Sequence, residues 1–305
     1  MLPHFLLVTS PLQGHINPTI QLAKRIADTS AAHVTFVTTA TALHRINHNH
    51  HHPFLTHAAI LEGYDENDAN TASDSPTQKM IRYNLAASKS LLELVNSLSD
   101  QGRPVTCIIY TLLLSWAADV ACQLGITSAF FWIQPAAVFS VYYHYFHGYK
   151  ERIESCVNDP ELSLNLPGLP PLASRDLPSF FFPNDPYSFI LTSFEEQFKT
   201  IEITKPKVLV NTFNALESDV MKSMDGVVEL IGVGPMVPSD NTVGADLFDG
   251  DVKDYKKWLD AKPPRSVVYV SFGSLALLQK KQLEEITKGL MESGRPFLWV
   301  LRKAQ

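Results

Sequence analysis

Short apolar runs alternate with amphipathic stretches along most of the chain, and the two kinds of segment predict different elements. Runs rich in β-branched and aromatic residues, typical of buried strands, lie at 5–8, 32–39, 54–61, 105–110, 128–134 and 207–211. Apolar residues recur at helical spacing in the segment after position 15. They do so again within 78–97, 113–123, 136–149, 187–205 and 215–224. Because strands and helices alternate, the pattern predicts an α/β fold with a parallel, doubly wound sheet.

The longest predicted helix places its apolar side chains along one stripe. Ile81, Leu85, Leu92 and Val95, with Ser88 between them, recur every three or four residues. We expect this stripe to face the core.

Proline-rich segments interrupt the series and mark its boundaries. Prolines concentrate within 158–186, which predicts a long ordered loop, and again between 232 and 264, which predicts a linker. Beyond the linker come a buried strand at 266–271, a helix at 279–292 and a strand at 296–301. We therefore predict an N-terminal domain at 1–231, a linker at 232–264 and the first βαβ unit of a second, incomplete domain at 265–305.

Composition narrows the classes of partner. With 45% hydrophobic residues, 18% charged residues and a net charge of −6, the chain can bury a large core but has no excess of basic residues. Nucleic acids and anionic membranes select dense basic patches, so we expect neither, and a small neutral or apolar ligand fits better. We expect a monomer.

Cysteine usage and the N-terminal residues indicate a cytoplasmic protein. Cys107, Cys122 and Cys156 are odd in number and lack metal-ligand or redox spacing, which predicts reduced core thiols. The first apolar run is short and carries no Lys or Arg before it, which favours a first strand over a signal peptide. No apolar run reaches the roughly 18 residues that a membrane span needs.

The segment Gly14-His-Ile-Asn-Pro18 follows the first predicted strand and opens the first predicted helix, a common location for ligand sites in α/β proteins. The positive end of the helix dipole disfavours a charged imidazole, so His15 is expected to be neutral and able to accept a proton. A general base needs that state. The alternative is a histidine that caps the helix.

Two further clusters each allow two interpretations. The aromatic side chains of helix 136–149 can line a pocket for a flat polyphenol or form core. The histidine-rich segment can bind a metal or form a solvated loop, and we favour the loop because no carboxylate or cysteine completes a site. Its histidines are His48, His50, His51 and His52.

Four motifs together resemble the plant UDP-sugar-dependent glycosyltransferases. They are Gly14-His-Ile-Asn-Pro18, Leu166-Pro-Gly-Leu-Pro-Pro171 with Arg175-Asp-Leu-Pro178, Trp258-Leu-Asp260 and Ser266-Val-Val-Tyr-Val-Ser-Phe-Gly-Ser274. The resemblance runs over the whole chain and implies a GT-B fold, in which a first Rossmann-like domain binds the acceptor and a second binds the UDP-sugar.

Within that family, two segments are most similar to the anthocyanin 5-O-glucosyltransferase group. They are Tyr110-Thr-Leu-Leu-Leu-Ser-Trp116 and Phe131-Trp-Ile-Gln-Pro135. The resemblance implies glucose transfer from UDP-glucose, a co-substrate rather than a cofactor, to a hydroxyl of a secondary metabolite such as a flavonoid.

The resemblance also assigns catalytic roles. His15 matches the base that deprotonates the acceptor hydroxyl as it attacks the anomeric carbon, with inversion. Many family members hold this histidine with an aspartate, but Thr111 stands at the matching position. A hydroxyl can orient the ring, but it gives an imidazolium no Coulombic support. Asp119 is the nearest carboxylate downstream, and we interpret it as a solvated or helix-pairing charge.

Binding roles follow in the same way. Gly273 and Ser274 match a phosphate contact of the donor. Ile133 stands where relatives often have a sugar-contacting threonine, which leaves Gln134 as a candidate donor contact. Apart from the resemblance, the aromatic run of helix 136–149 makes Phe139 and Tyr143 candidate acceptor contacts. Gly14, beside His15, is a third candidate, and no metal is implied.

The sequence lacks one feature that the resemblance leads us to expect. Family members carry a donor signature with a Trp-x-Pro-Gln start and a His-Cys-Gly-Trp-Asn-Ser core, and the 305 residues contain neither. We therefore expect a fragment or truncated product that is inactive alone. One alternative is a non-catalytic acceptor-binding protein. A weaker alternative is a nicotinamide-dependent oxidoreductase, since this sequence has no Gly-x-Gly-x-x-Gly after its first strand.

Overall fold

The structure, a computed structural model, describes residues 2–46, 53–63, 74–237, 255–273 and 278–301. The backbone divides into two compact units, Met1–Leu247 and Phe248–Gln305. Among the described helices, none combines the length and apolar character that crossing a bilayer requires.

The first unit is built on a seven-stranded parallel sheet with the order β3-β2-β1-β4-β5-β6-β7. This confirms the predicted α/β fold. The order reverses direction between β1 and β4, and such a switch point leaves a crevice at the carboxyl ends of the two strands. The strands are β1 His4–Val8, β2 His33–Thr39, β3 Leu55–Ile60, β4 Cys107–Thr111, β5 Thr127–Trp132, β6 Lys207–Val210 and β7 Leu230–Gly232.

Helices connect these strands and cover both faces of the sheet. Because β4 is buried on both sides, Ile108 and Tyr110 belong to one apolar cluster while Ile109 belongs to the other. The helices of this unit are α1 Gln13–Thr29, α2 Ala40–Arg45, α3 Pro76–Asp100, α4 Ser115–Gln123, α5 Ala136–His144, α6 Lys150–Asn158, α7 Ile190–Thr204 and α8 Ser218–Ser223.

The predicted inward stripe of α3 is wrong in its first half. Ile81 and Leu85 are 53% and 70% exposed, and the buried positions of the helix begin only at Ala87. In the turns before Ala87, the partly buried Tyr83 packs against the core while Ile81 and Leu85 are exposed, so the apolar spacing there does not predict which side chains are buried. The buried residues of α3 are Ala87, Leu91, Val95 and Leu98.

The helix predicted at 136–149 ends earlier, because α5 stops at His144 and is followed by a π-helical turn at Tyr145–Tyr149 that contains a break. The backbone leaves helical geometry at His147, and Gly148 has a φ of 87°, which a glycine adopts without a side-chain clash. α6 follows this break and was not predicted. The proline-rich loop after it contains short 3₁₀ turns at Ser174–Asp176 and Ser179–Phe181.

Two further features differ from what the sequence predicts. A seventh strand, β7 at 230–232, joins the sheet although the sequence predicts no strand there. The thiols do not all lie in the core, because Cys122 is exposed on α4 and Cys107 is half-buried, while Cys156 is buried.

The second unit contains the predicted strand, helix and strand as β8 Val268–Val270, α10 Lys280–Glu292 and β9 Phe297–Trp299. β8 and β9 pair in parallel. A short helix, α9 Tyr255–Asp260, lies in the segment predicted as linker. β8 is not the fully buried strand that its composition predicted, since Tyr269 is 65% exposed in this small unit.

Candidate active site

His15 lies in the first turn of α1, just beyond the carboxyl end of β1. The N-cap of the helix is Leu12, and no side chain caps it, so the alternative in which His15 is the cap is wrong. Pro18 lacks the N–H that would bond to the carbonyl of Gly14. The Thr19 hydroxyl donates to the His15 carbonyl over 2.7 Å and fixes the backbone of this turn.

The adjacency of β1 and β4 brings His15 and Thr111 together. His15 Nδ1 lies 3.4 Å from Thr111 Oγ1, and Thr111 Oγ1 lies 3.5 Å from Thr9 Oγ1. Because the Thr111 hydroxyl donates to Thr9, its lone pairs are available to accept from Nδ1–H of His15. That tautomer leaves the Nε2 lone pair as the basic site, although both hydrogen bonds are long.

Burial keeps the imidazole neutral. Desolvation lowers the pKa of His15 from 6.5 to about 4, and the side chain is 7% exposed. Thr111 is fully buried and uncharged, so it cannot offset this effect. Asp119 is exposed on α4, which fits the interpretation of a solvated charge.

A cavity of about 370 Å³ opens beside α5 in the same unit. This volume suits a small organic molecule. One set of lining residues comes from α5 and the turn before it, and a second set comes from the proline-rich loop between α6 and α7. The lining is mostly apolar: Gln134, Ala137, Val138, Val141, Tyr142, Leu169, Leu172, Asp176, Leu177, Pro178, Ser179 and Phe180.

Gln134 gives this cavity a polar group whose hydrogen bonding is incomplete. Its Oε1 atom is buried and accepts no hydrogen bond from the residues that the structure describes. Asp176, by contrast, accepts from the amide of Ala173 over 2.8 Å. A buried amide oxygen without a partner is costly, which favours a ligand that donates to it.

The predicted acceptor residues do not line the cavity. Phe139 is fully buried against Trp132 and Phe198, each with a ring-centroid distance of 5.2 Å, which favours the core interpretation. Tyr143 is half-buried and stacks on His147 at 3.9 Å. Gly14 is exposed, and a Cβ there would touch nothing within 4 Å.

The predicted donor residues fall in different units. Gly273 belongs to the second unit and has a φ of 72°, a conformation that favours glycine. Gln134 belongs to the first unit. Ser274 and the four histidines of the predicted loop, His48, His50, His51 and His52, lie outside the described residues.

Sequence reasoning missed one carboxylate. Glu217, which follows β6, accepts hydrogen bonds from the amides of Ala136 and Ala137 at the start of α5. The only sequence signal for such a partner is that the first turn of α5 has no residue nearby that can cap it.

Comparison with known proteins places the chain in a family, although no family model matches it. Phloretin 4'-O-glucosyltransferase from Malus domestica is 45% identical over 98% of the chain and 65% of its own length. UDP-glycosyltransferase 75C1 from Solanum lycopersicum is 46% identical over 98% of the chain and 67% of its own length. Anthocyanidin 3-O-glucoside 5-O-glucosyltransferase from Verbena hybrida is 39% identical over 98% and 67%.

A solved structure agrees with these relatives. Os79 from O. sativa, in complex with UDP, has a TM-score of 0.81 and 30% identity, covering 98% of this chain and 68% of that one. The fold is therefore that of the GT-B class. The chain belongs to the plant UDP-glycosyltransferase family. It spans about 65% of the length of the Malus relative.

Proposed function

We propose that the chain is the acceptor-binding part of an inverting O-glucosyltransferase, which moves glucose from UDP-glucose to a hydroxyl of a plant phenolic such as an anthocyanin or other flavonoid. The observation that carries this proposal is the buried, neutral His15, held through Nδ1 by Thr111 at the switch point of the sheet. Family membership supports the reaction class, and the largely apolar cavity beside α5 supports a flat acceptor.

In the proposed reaction His15 acts as the general base. Nε2 takes the proton of the acceptor hydroxyl while that oxygen attacks the anomeric carbon and the bond to UDP breaks. The glycoside forms with inversion, UDP leaves with the bonding electron pair, and the imidazolium later releases its proton. Thr111 orients the ring but supplies no countercharge, so the imidazolium is less stable here than beside a carboxylate.

We propose that Gln134 contacts the acceptor rather than the donor. It lines the cavity, and its unpartnered Oε1 fits a phenolic hydroxyl that donates a hydrogen bond. Gly273 and Ser274 remain the candidates for the diphosphate. A cytoplasmic location belongs to the same proposal, supported by the free thiols of Cys107, Cys122 and Cys156.

A second candidate function is acceptor binding without catalysis. Thr111 favours it, because a neutral hydroxyl replaces the charged partner that many relatives place beside the base. The two candidates predict different results when a donor-binding part is fused to this chain. The enzyme should then form glucoside, and the binding protein should not.

The test compares the 305 residues alone with a chimera that continues them into the donor-binding part of the Malus domestica relative. With UDP-glucose and phloretin, we expect glucoside from the chimera and none above a heat-killed control from the 305 residues. Without the donor signature, the proximity of the two reactants is lost, a contribution on the order of 7 to 11 kcal/mol. A folded chimera that binds phloretin but forms no glucoside would support the second candidate.

A further inference from the structure

The start of α5 is held by a side chain that lies 80 residues further along the chain. Glu217 Oε2 accepts from the amide of Ala136 over 2.9 Å, and Oε1 accepts from the amide of Ala137 over 2.8 Å. No side chain within α5 or at its N-cap, Pro135, performs this role. Each carboxylate oxygen thus satisfies one of the helix N–H groups that lack intrahelical partners, at the positive end of the dipole.

Neighbouring contacts hold the turn before α5 as well. The Asn211 side chain donates to the carbonyl of Ile133 over 3.0 Å. The indole N–H of Trp132 donates to the carbonyl of Pro135 over 2.9 Å. Gln134 lies between these two carbonyls in the sequence, so this cavity-lining residue, whose Oε1 has no partner among the described residues, stands on a fixed turn.

The segment that follows Glu217 also anchors the second set of lining residues. The hydroxyl of Ser223, the last residue of α8, lies 2.8 Å from the Val220 carbonyl, to which it donates, and 3.3 Å from the carbonyl of Pro167. Gly168, with a φ of 72°, packs so tightly that a Cβ there would lie 2.6 Å from the Asp219 carbonyl. Leu169 and the cavity lining begin at the next residue.

We propose that Glu217 is a positioning residue that fixes the acceptor cavity by holding α5 and the Gln134 turn against the α8 segment. This inference rests on the proposed function, since it takes the cavity to be the acceptor site. A carboxylate of this length can accept from each amide with a separate, charged oxygen, whereas a glutamine amide has one neutral oxygen for both. An acceptor that spans both sets of lining residues depends on this bond, and a small one that touches a single set does not.

The test measures binding to the purified 305-residue chain, with phloretin as the two-ring probe and 4-nitrophenol as the one-ring probe. Glu217→Gln keeps the shape but offers only one acceptor oxygen. We expect its Kd for phloretin to rise about tenfold or more, the effect of losing one charge-assisted pair. We expect its Kd for 4-nitrophenol to change by less than about threefold, because this one-ring probe touches only one set of lining residues. Glu229→Gln, which removes only the surface pair with Lys207, is the matched control and should bind as wild type.

A spectroscopic readout separates positioning from general destabilisation. In Glu217→Gln the amide proton resonances of Ala136 and Ala137 should move upfield, because charge-assisted hydrogen bonds deshield them, while circular dichroism shows a retained fold. An unchanged phloretin Kd, or an equal loss for both probes, would overturn the role of Glu217. A wild-type chain that binds no phloretin would instead contradict the proposed function, and the inference with it.

Discussion

His15 owes its neutral state to burial rather than to a charged neighbour. Its pKa is lowered to about 4 by desolvation, and Thr111 offers only a hydroxyl at 3.4 Å. A base with so low a pKa is deprotonated at pH 7 but has little driving force to hold a proton. A charged side chain at residue 111 would therefore strengthen the proposed base.

Replacing that hydroxyl with a carboxylate tests this relation. In Thr111→Asp an opposite charge within about 4 Å should raise the pKa of His15 by roughly 1 to 3 units. Thr111→Ser keeps a hydroxyl and should leave the pKa near its value of about 4. NMR titration of the His15 ring protons measures both, and an unshifted midpoint in a folded Thr111→Asp chain would contradict the pairing.

At the scale of elements, burial rather than periodicity sets the importance of each helix position. α3 illustrates this, because Leu91 is fully buried while Leu85 is 70% exposed on the same helix. Leu91→Ala should lower the free energy of unfolding by about 2 to 5 kcal/mol, the usual cost of removing a buried leucine. Leu85→Ala should change it by about 0.5 kcal/mol or less.

Urea unfolding of the two variants provides the measurement, with equal m-values as the check on two-state behaviour. Similar losses for both substitutions would show that Leu85 is packed as Leu91 is and would restore the predicted inward stripe.

The sequence predicted the strands of the sheet well because β-branched runs bounded by turn residues have few other stable conformations. It did not predict where α3 begins to pack, since Ile81 and Leu85 fit the helical spacing as well as the buried residues do. Likewise, the break at His147 and Gly148 depends on a single glycine within an apolar run. β7 is too short at three residues to show a pattern.

The candidate site also contains some features that the sequence predicts and others that it does not. His15 and Thr111 lie together because the ends of β1 and β4 meet at the switch point, and the sequence pointed to Thr111 only through the resemblance. The bond from Glu217 to α5 joins residues 80 and 81 positions apart, and no local pattern predicts a contact of that kind. Phe139 belongs to the core because three aromatic side chains from other positions enclose it, which helical spacing alone does not reveal.

At the scale of the whole molecule, the buried imidazole links stability to pH. Its pKa is about 4 in the folded state against 6.5 when unfolded, so between these values the unfolded chain binds the proton more readily. The contribution of neutral His15 to the free energy of unfolding is fully present above pH 6.5. It decreases by roughly 3 kcal/mol as pH falls towards 4. The pKa values of His4 and His144 are lowered too, mainly by burial, and add losses of the same sign.

A substitution isolates the share of His15 in this dependence. His15→Gln removes the titrating group, so its free energy of unfolding should fall less steeply than that of wild type between pH 6.5 and 4. His44→Gln, at an exposed position, serves as the control. Urea denaturation at closely spaced pH values measures both slopes, and parallel curves for His15→Gln and wild type would contradict the buried, neutral assignment.

The central claim is that His15 is the general base, and turnover of the phloretin-glucosylating chimera tests it most directly. At saturating acceptor, His15→Ala should lower kcat by about 10²-fold or more, since general-base catalysis contributes about 10² to 10⁴. Thr111→Ala should cost less, because it removes one hydrogen bond worth about 1 kcal/mol and no charge. Near-normal kcat for a folded His15→Ala chimera would contradict the assignment.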